Sequence, residues 1–181
     1  MNDQPSPDTK DWTVVLSETC TECGIDVRAL NTTQIAELVR AATGHFTRVL
    51  AAPGAGDRPA PAVWSTHEYC AHVAEMYRVM HERLGLMLDH DAPEFANWDQ
   101  DEAAIRGAYA HIHSAEVARS LEESAEGFAA ALEALTDEQI PRLGTRSNGA
   151  VFSTATLAQY AWHDAAHHLH HDLGVARTAE S

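Results

Sequence analysis

The apolar residues of this chain recur at helical spacing in four separate segments. In the first, Ile35, Leu38, Val39, Ala42, Phe46, Val49 and Leu50 fall three and four residues apart and share one helical face. Asn31 or Thr32 can cap that helix, and Pro53-Gly54 breaks it. The second segment has the clearest start signal: Ser65 followed by Glu68 is a capping box, and Trp64 can staple onto Tyr69. Its stripe runs Tyr69, Val73, Met76, Met80, Leu84 and Met87, with His72 on the same face one turn before Met76. Ser114 is the expected cap of a third helix with Val117, Leu121, Ala125, Phe128, Leu132 and Leu135 inward. Ser153 is the expected cap of a fourth, stapled from Phe152 to Leu157, running to Asp172 and stopped at Gly174. Residues 91–113 read as a connection with a short helix, and 141–149 as a loop or short hairpin-like excursion. No strand-period run of useful length occurs, so the expected class is all-α, a four-helix bundle.

Residues 1–30 mix Pro, Asp and Thr without a sustained period and read as an irregular arm lying on the body. The bundle is expected over 31–175, with 176–181 as a tail. At 181 residues the chain suits one domain. The start, MNDQPSPDTKDW, has neither a basic region nor an apolar run, and no stretch is apolar for long enough to span a bilayer. Three cysteines do not make a disulfide framework, and the expected location is the cytoplasm. Twelve Lys plus Arg against 27 Asp plus Glu give a net charge of −15, which disfavours nucleic acid and anionic membranes as partners.

Twelve histidines are the anomaly of the composition. His163 and His167 are four apart, hence about 40° apart in direction and about 6 Å along a helix axis, close enough to ligate one ion. His72, alone on the apolar stripe of another helix, offers a third imidazole. Three histidines with an open fourth position can activate water or bind a thiolate or carbonyl. Against this, a lone histidine on an apolar face is more often a satisfied core residue, and the run His167 to His171 cannot all face inward. Cys20-Thr21-Glu22-Cys23-Gly24 could be half of a zinc knuckle, a redox pair or an arm-docking turn. Cys70 reads as a small buried side chain.

Trp64-Ser65-x-x-Glu68-Tyr69-x-x-His72, the loop Asn97-Trp98-Asp99-Gln100-Asp101, and Tyr160-x-x-His163-Asp164-x-x-His167-His168-Leu169 together resemble the DinB-like metal-dependent bundles. These include bacterial thiol-dependent S-transferases and the N-terminal domain of mycothiol-dependent maleylpyruvate isomerase. The resemblance covers roughly residues 30 to 175. It implies a metal triad at His72, His163 and His167, holding zinc or another divalent ion such as nickel or iron; some relatives carry an acidic residue in place of one histidine. It also implies a low-molecular-weight thiol such as mycothiol or bacillithiol, an electrophilic substrate, and a homodimer. Trp98, Asp99 and Asp101 are candidates for the wall of the thiol pocket, and Asp164 for a group supporting the ligands from behind. The leading expectation is a thiol-dependent S-transferase or isomerase. The alternatives are a non-catalytic, metal-stabilised or metal-sensing bundle and a bundle that binds an apolar ligand.

Overall fold

The computed structural model describes residues 10–177, so the expected features at residues 1–9 and 178–181 lie outside the described residues. Four long helices form the body: α1 (Thr32–Leu50), α2 (Thr66–Asp89), α4 (Ser114–Glu133) and α5 (Thr154–His167), with a short α3 (Gln100–Arg106) between α2 and α4. α1 and α2 each pack chiefly on α4 and α5, so these two consecutive helices lie diagonally across the bundle. The connection 51–64 carries the chain over that diagonal.

Local chemistry explains the helix starts. Asn31 accepts from Gln34 N–H while the Gln34 side chain accepts from Asn31 N–H, and Ser65 with Glu68 and Ser153 with Thr156 repeat this reciprocal cap. Trp64 meets Tyr69 edge-on at 5.4 Å, the expected staple. At α4 the expectation differs by one residue: Ser114 is the first helical residue, and His113, which makes no side-chain cap bond, precedes it. The carboxylate of Glu68 is buried and accepts from Ser65 N–H, from the Ser65 hydroxyl, and from Arg58 Nε at 2.8 Å. The same cap thereby ties the 51–64 connection to α2.

The stripes read from the sequence make one core, in which Phe46, Met76, Met80, Leu121, Phe128 and Leu157 are almost wholly shielded. Cys70 is also buried, and burial pushes its thiol up to about 12. No helix among the described residues is long and apolar enough to cross a membrane.

A small sheet was not expected. β1 (Glu94–Phe95) pairs in parallel with β2 (Leu143–Arg146), which pairs antiparallel with β3 (Val151–Ser153). The hairpin-like excursion at 141–149 is therefore the β2–β3 turn, and it clamps the loop that leads into α3. Two- to four-residue strands are too short to show a period, so the pairing left no readable trace. Gly144 in β2 is required by close approach: a Cβ there would stand 2.7 Å from Phe95 Cε1 and 2.8 Å from Met87 Cγ.

The arm docks on the bundle. Its 3-10 turn, Trp12–Leu16, packs on α5, and Val15 and Val27 are buried. Gln159 Nε2 of α5 donates to the carbonyl oxygens of Arg28 and Leu30, at 3.4 and 3.0 Å.

Gly144→Ala should lower stability by about 1–3 kcal/mol through overpacking, measured by urea unfolding. For Glu68, burial raises the carboxyl pKa, but hydrogen bonds from Arg58 and Ser65 outweigh it and hold the group below its ordinary 4.5. A depressed folded pKa stabilises above the unfolded value and loses that stabilisation as pH falls through the folded one. Glu68→Gln should therefore cost about 2 kcal/mol at neutral pH. The gap in melting temperature between variant and wild type should close below about pH 4.5.

Candidate metal centre

The end of α5 and the residue after it carry Trp162-His163-Asp164-Ala165-Ala166-His167-His168, which contains two overlapping four-residue pairs: His163 with His167, and Asp164 with His168. Each step along a helix turns about 100°, so the two pairs point along adjacent stripes of α5. α2 lies against one stripe and the arm against the other.

The α2 side gathers His72, Asp164 and His168, whose donor atoms all lie within 4.8 Å of one another. His72 Nε2 is 3.1 Å from Asp164 Oδ1, and His168 Nε2 is 3.7 Å from the same oxygen. His168 Nδ1 is 2.7 Å from Asp172 Oδ2, which leaves Nε2 to face the cluster. The backbone widens to a π turn over His168–Asp172, closed by Leu173 N–H to His168 O, and this turn delivers Asp172. His72 is wholly buried, and its Nδ1 has no hydrogen-bond partner among the described residues. Trp98 stacks on the His72 ring at 5.3 Å and 16°. Burial alone would raise the Asp164 pKa, but the neighbouring His72 and His168 hold it well below the usual carboxylate range, so it is ionised at neutral pH.

The arm side gathers Cys20, Cys23, His163 and His167, again with donors within 4.8 Å. Cys23 Sγ is 3.6 Å from His163 Nε2, and Cys20 Sγ is 3.8 Å from His167 Nδ1. Burial lowers the His163 pKa to about 4 and also lowers that of His167, so both imidazoles are neutral at pH 7. Burial pushes the Cys23 thiol up to about 11, unlike a redox-active thiolate.

The expected triad of His72, His163 and His167 is thus divided. His163 and His167 do come together, but His72 joins Asp164 and His168 one stripe away. The sequence reading favoured the all-imidazole pair, whereas the face of α5 that meets α2 presents the mixed pair. Asp164, expected behind the ligands, stands among the candidate donors, and His168, which the spacing does not single out, stands with it. The Asp164/His168 spacing was visible, but choosing between two pairs one residue apart needs the rotational setting of α5.

Asp164 and His168 of one cluster and His163 and His167 of the other border a cavity of about 400 Å³, whose walls include Trp12, Trp64, Tyr69, Asp101 and Tyr160. A neighbouring lobe of about 350 Å³ shares Asp101, Tyr160 and Asp164 and adds Arg83, Trp98 and Arg146. Asp99 lines this lobe while its carboxylate caps α3, accepting from Asp101 N–H and Glu102 N–H. Arg83 and Arg146 are buried. Arg83 donates to Ala96 O, Arg146 donates to Asn148 Oδ1, and neither forms an ion pair with a carboxylate among the described residues. Burial lowers the Arg83 pKa to about 10, so it remains a cation. Sequence reading missed both arginines, since nothing in their spacing marks them.

A donor set of two imidazoles and one carboxylate suits first-row divalent ions and leaves coordination positions open toward the cavity. The tether on His168, and the 3.1 Å approach of His72 Nε2 to Asp164, fit side chains set around an ion.

No curated protein matches the sequence. The structure is similar to that of YfiT from Bacillus subtilis, described as "a probable metal-dependent hydrolase with an unusual four-helix bundle topology". The TM-score is 0.68, at 17% identity over 80% of this chain and 89% of that one. The model of the DinB superfamily matches residues 31–173, which take in all four long helices, His72, and the pairs His163/His167 and Asp164/His168. The chain belongs to the DinB superfamily.

Proposed function

We propose that this protein is a metal-dependent enzyme that uses His72, Asp164 and His168 to hold one divalent ion and joins a small thiol to an electrophile bearing an anionic group. The observation that carries this reading is the three-donor cluster opening onto a two-lobed cavity. Three protein ligands with an open position are the pattern of catalytic rather than structural metal sites. When bound, the ion would lower the pKa of a ligated thiol and supply thiolate at neutral pH.

The chain's own groups divide the remaining work. Asp172 orients His168 through Nδ1, and Trp98 fixes the plane of His72 by stacking. Arg83 and Arg146, cations that form no ion pair with a carboxylate among the described residues, suit a carboxylate or similar anion on the substrate. The indole Nε1–H of Trp98 is buried without a partner among the described residues, so it can donate to a bound molecule. Trp64 and Tyr69 wall the first lobe. The combined lobes have room for a thiol and a second small molecule. YfiT is described as a probable metal-dependent hydrolase, which makes water a competing nucleophile.

Metal-loaded protein should consume a low-molecular-weight thiol, mycothiol being the first to test, in the presence of a maleyl-type electrophile. His72→Ala and His168→Ala should each lose one equivalent of metal by mass spectrometry and reduce turnover at least about 100-fold. Fully loaded protein that hydrolyses an ester probe yet consumes none of the thiols tested would overturn the thiol reading. Arg146→Ala should raise KM for an anionic electrophile about tenfold or more while leaving kcat less affected, as expected for loss of a charge-assisted contact made in both ground and transition states.

A further inference from the structure

The cysteine motif and the second histidine pair have no part in the function proposed above. Their spacings are Cys-x-x-Cys and His-x-x-x-His, both common among tetrahedral zinc ligands. They come from opposite ends of the described chain, 140 residues apart for Cys23 and His163 and 147 for Cys20 and His167. We propose that Cys20, Cys23, His163 and His167 form a second, separate site that binds one zinc-class divalent ion and fastens the N-terminal arm to α5.

The distances fit a shared ion. With Zn–S of about 2.3 Å and Zn–N of about 2.05 Å, a sulfur and a nitrogen at two corners of one tetrahedron stand about 3.6 Å apart. The observed sulfur–nitrogen separations are 3.6 and 3.8 Å. The loop holding the sulfurs is shaped for the purpose. Gly24 follows Cys23 at φ +71°, Gly24 N–H donates to Cys20 O, and Cys20 N–H donates to Ile25 O. This closed turn turns both thiols toward α5. Cys20, His163 and His167 are buried, and the Trp12 ring lies 5.5 Å from His163 and 4.8 Å from His167.

The surroundings complete the arrangement. His167 faces Cys20 through Nδ1, and its Nε2 stands 3.7 Å from Glu22 and 4.0 Å from Asp172. Those carboxylates favour the tautomer with the proton on Nε2, which frees the Nδ1 lone pair for the ion. Two thiolates and two imidazoles fill four positions, so this is a closed, structural site. Binding releases two thiol protons to solvent, and two thiolates balance the charge of the dication.

The test loads the full-length protein with cobalt(II). A thiolate-to-cobalt charge-transfer band with intense tetrahedral d–d bands is expected in wild type and in His72→Ala, and is lost in Cys20→Ser and His163→Ala. A second measurement needs no variant: in zinc-loaded wild type, Cys20 and Cys23 should resist maleimide until a chelator is added, as read by peptide mass. Absence of the charge-transfer band at saturating cobalt would overturn the proposal. So would equal labelling before and after chelation of protein shown to hold zinc, or recovery of Cys20 and Cys23 as a disulfide. Because His72→Ala empties only the first cluster, failure of the thiol-transfer reading leaves this result standing, and the reverse also holds.

Discussion

The rotation of about 100° per residue along α5 is the constraint on which the rest of the site depends. Four donor side chains on about 1.4 turns cannot converge on one point, because the helix sends them along two stripes. What lies against each stripe decides what each pair becomes. α2 brings His72 to Asp164 and His168, and the arm brings Cys20 and Cys23 to His163 and His167. Asp172 serves both, 2.7 Å from His168 and 4.0 Å from His167, because the π turn after His167 sets it beneath the two rings. In a regular α-helix Asp172 would still lie on the face of His168, four residues back, but would turn away from His167, five residues back.

The bundle is built to hold that helix at one rotation. Ala158, Ala161, Ala165 and Ala166 are buried and let neighbouring elements approach closely, while Trp162 and Leu169 fill the space beside them. Gln159 takes two arm carbonyls and sets where the arm can lie. The buried Ser65/Glu68 cap fixes the start of α2, and with it the height at which His72 meets α5. The β1–β2–β3 sheet does the same for the loop that presents Trp98 to His72.

The bundle was legible because its signals are local and periodic. The stripes of α1, α2, α4 and α5 and the Ser65/Glu68 box each need only a few neighbouring residues. His72 could be singled out because a polar ring on an apolar stripe stands out from its neighbours. The pairing on α5 could not be settled, since His163/His167 and Asp164/His168 have the same spacing and differ only in which neighbour they meet. The sheet was hidden by strands too short to carry a period. Arg83 and Arg146 were hidden because their burial is a tertiary fact. Cys20 and Cys23 stand out as a motif, but the imidazoles they face lie about 140 residues away, where no sequence window reaches.

The meeting of the arm with α5 also bears on the order in which the molecule is made. Every contact between Cys20 or Cys23 and its imidazoles closes a loop nearly as long as the described chain, among the most demanding closures in entropy that the fold contains. Contacts of such separation form late. On the ribosome, α1, α2 and α4 can emerge and begin to collapse while the arm still has nothing to dock on, because its platform is the last helix of the described chain. The wall that Trp12 lends to the cavity is therefore assembled last, so an incompletely synthesised chain has a partial bundle but no enclosed pocket.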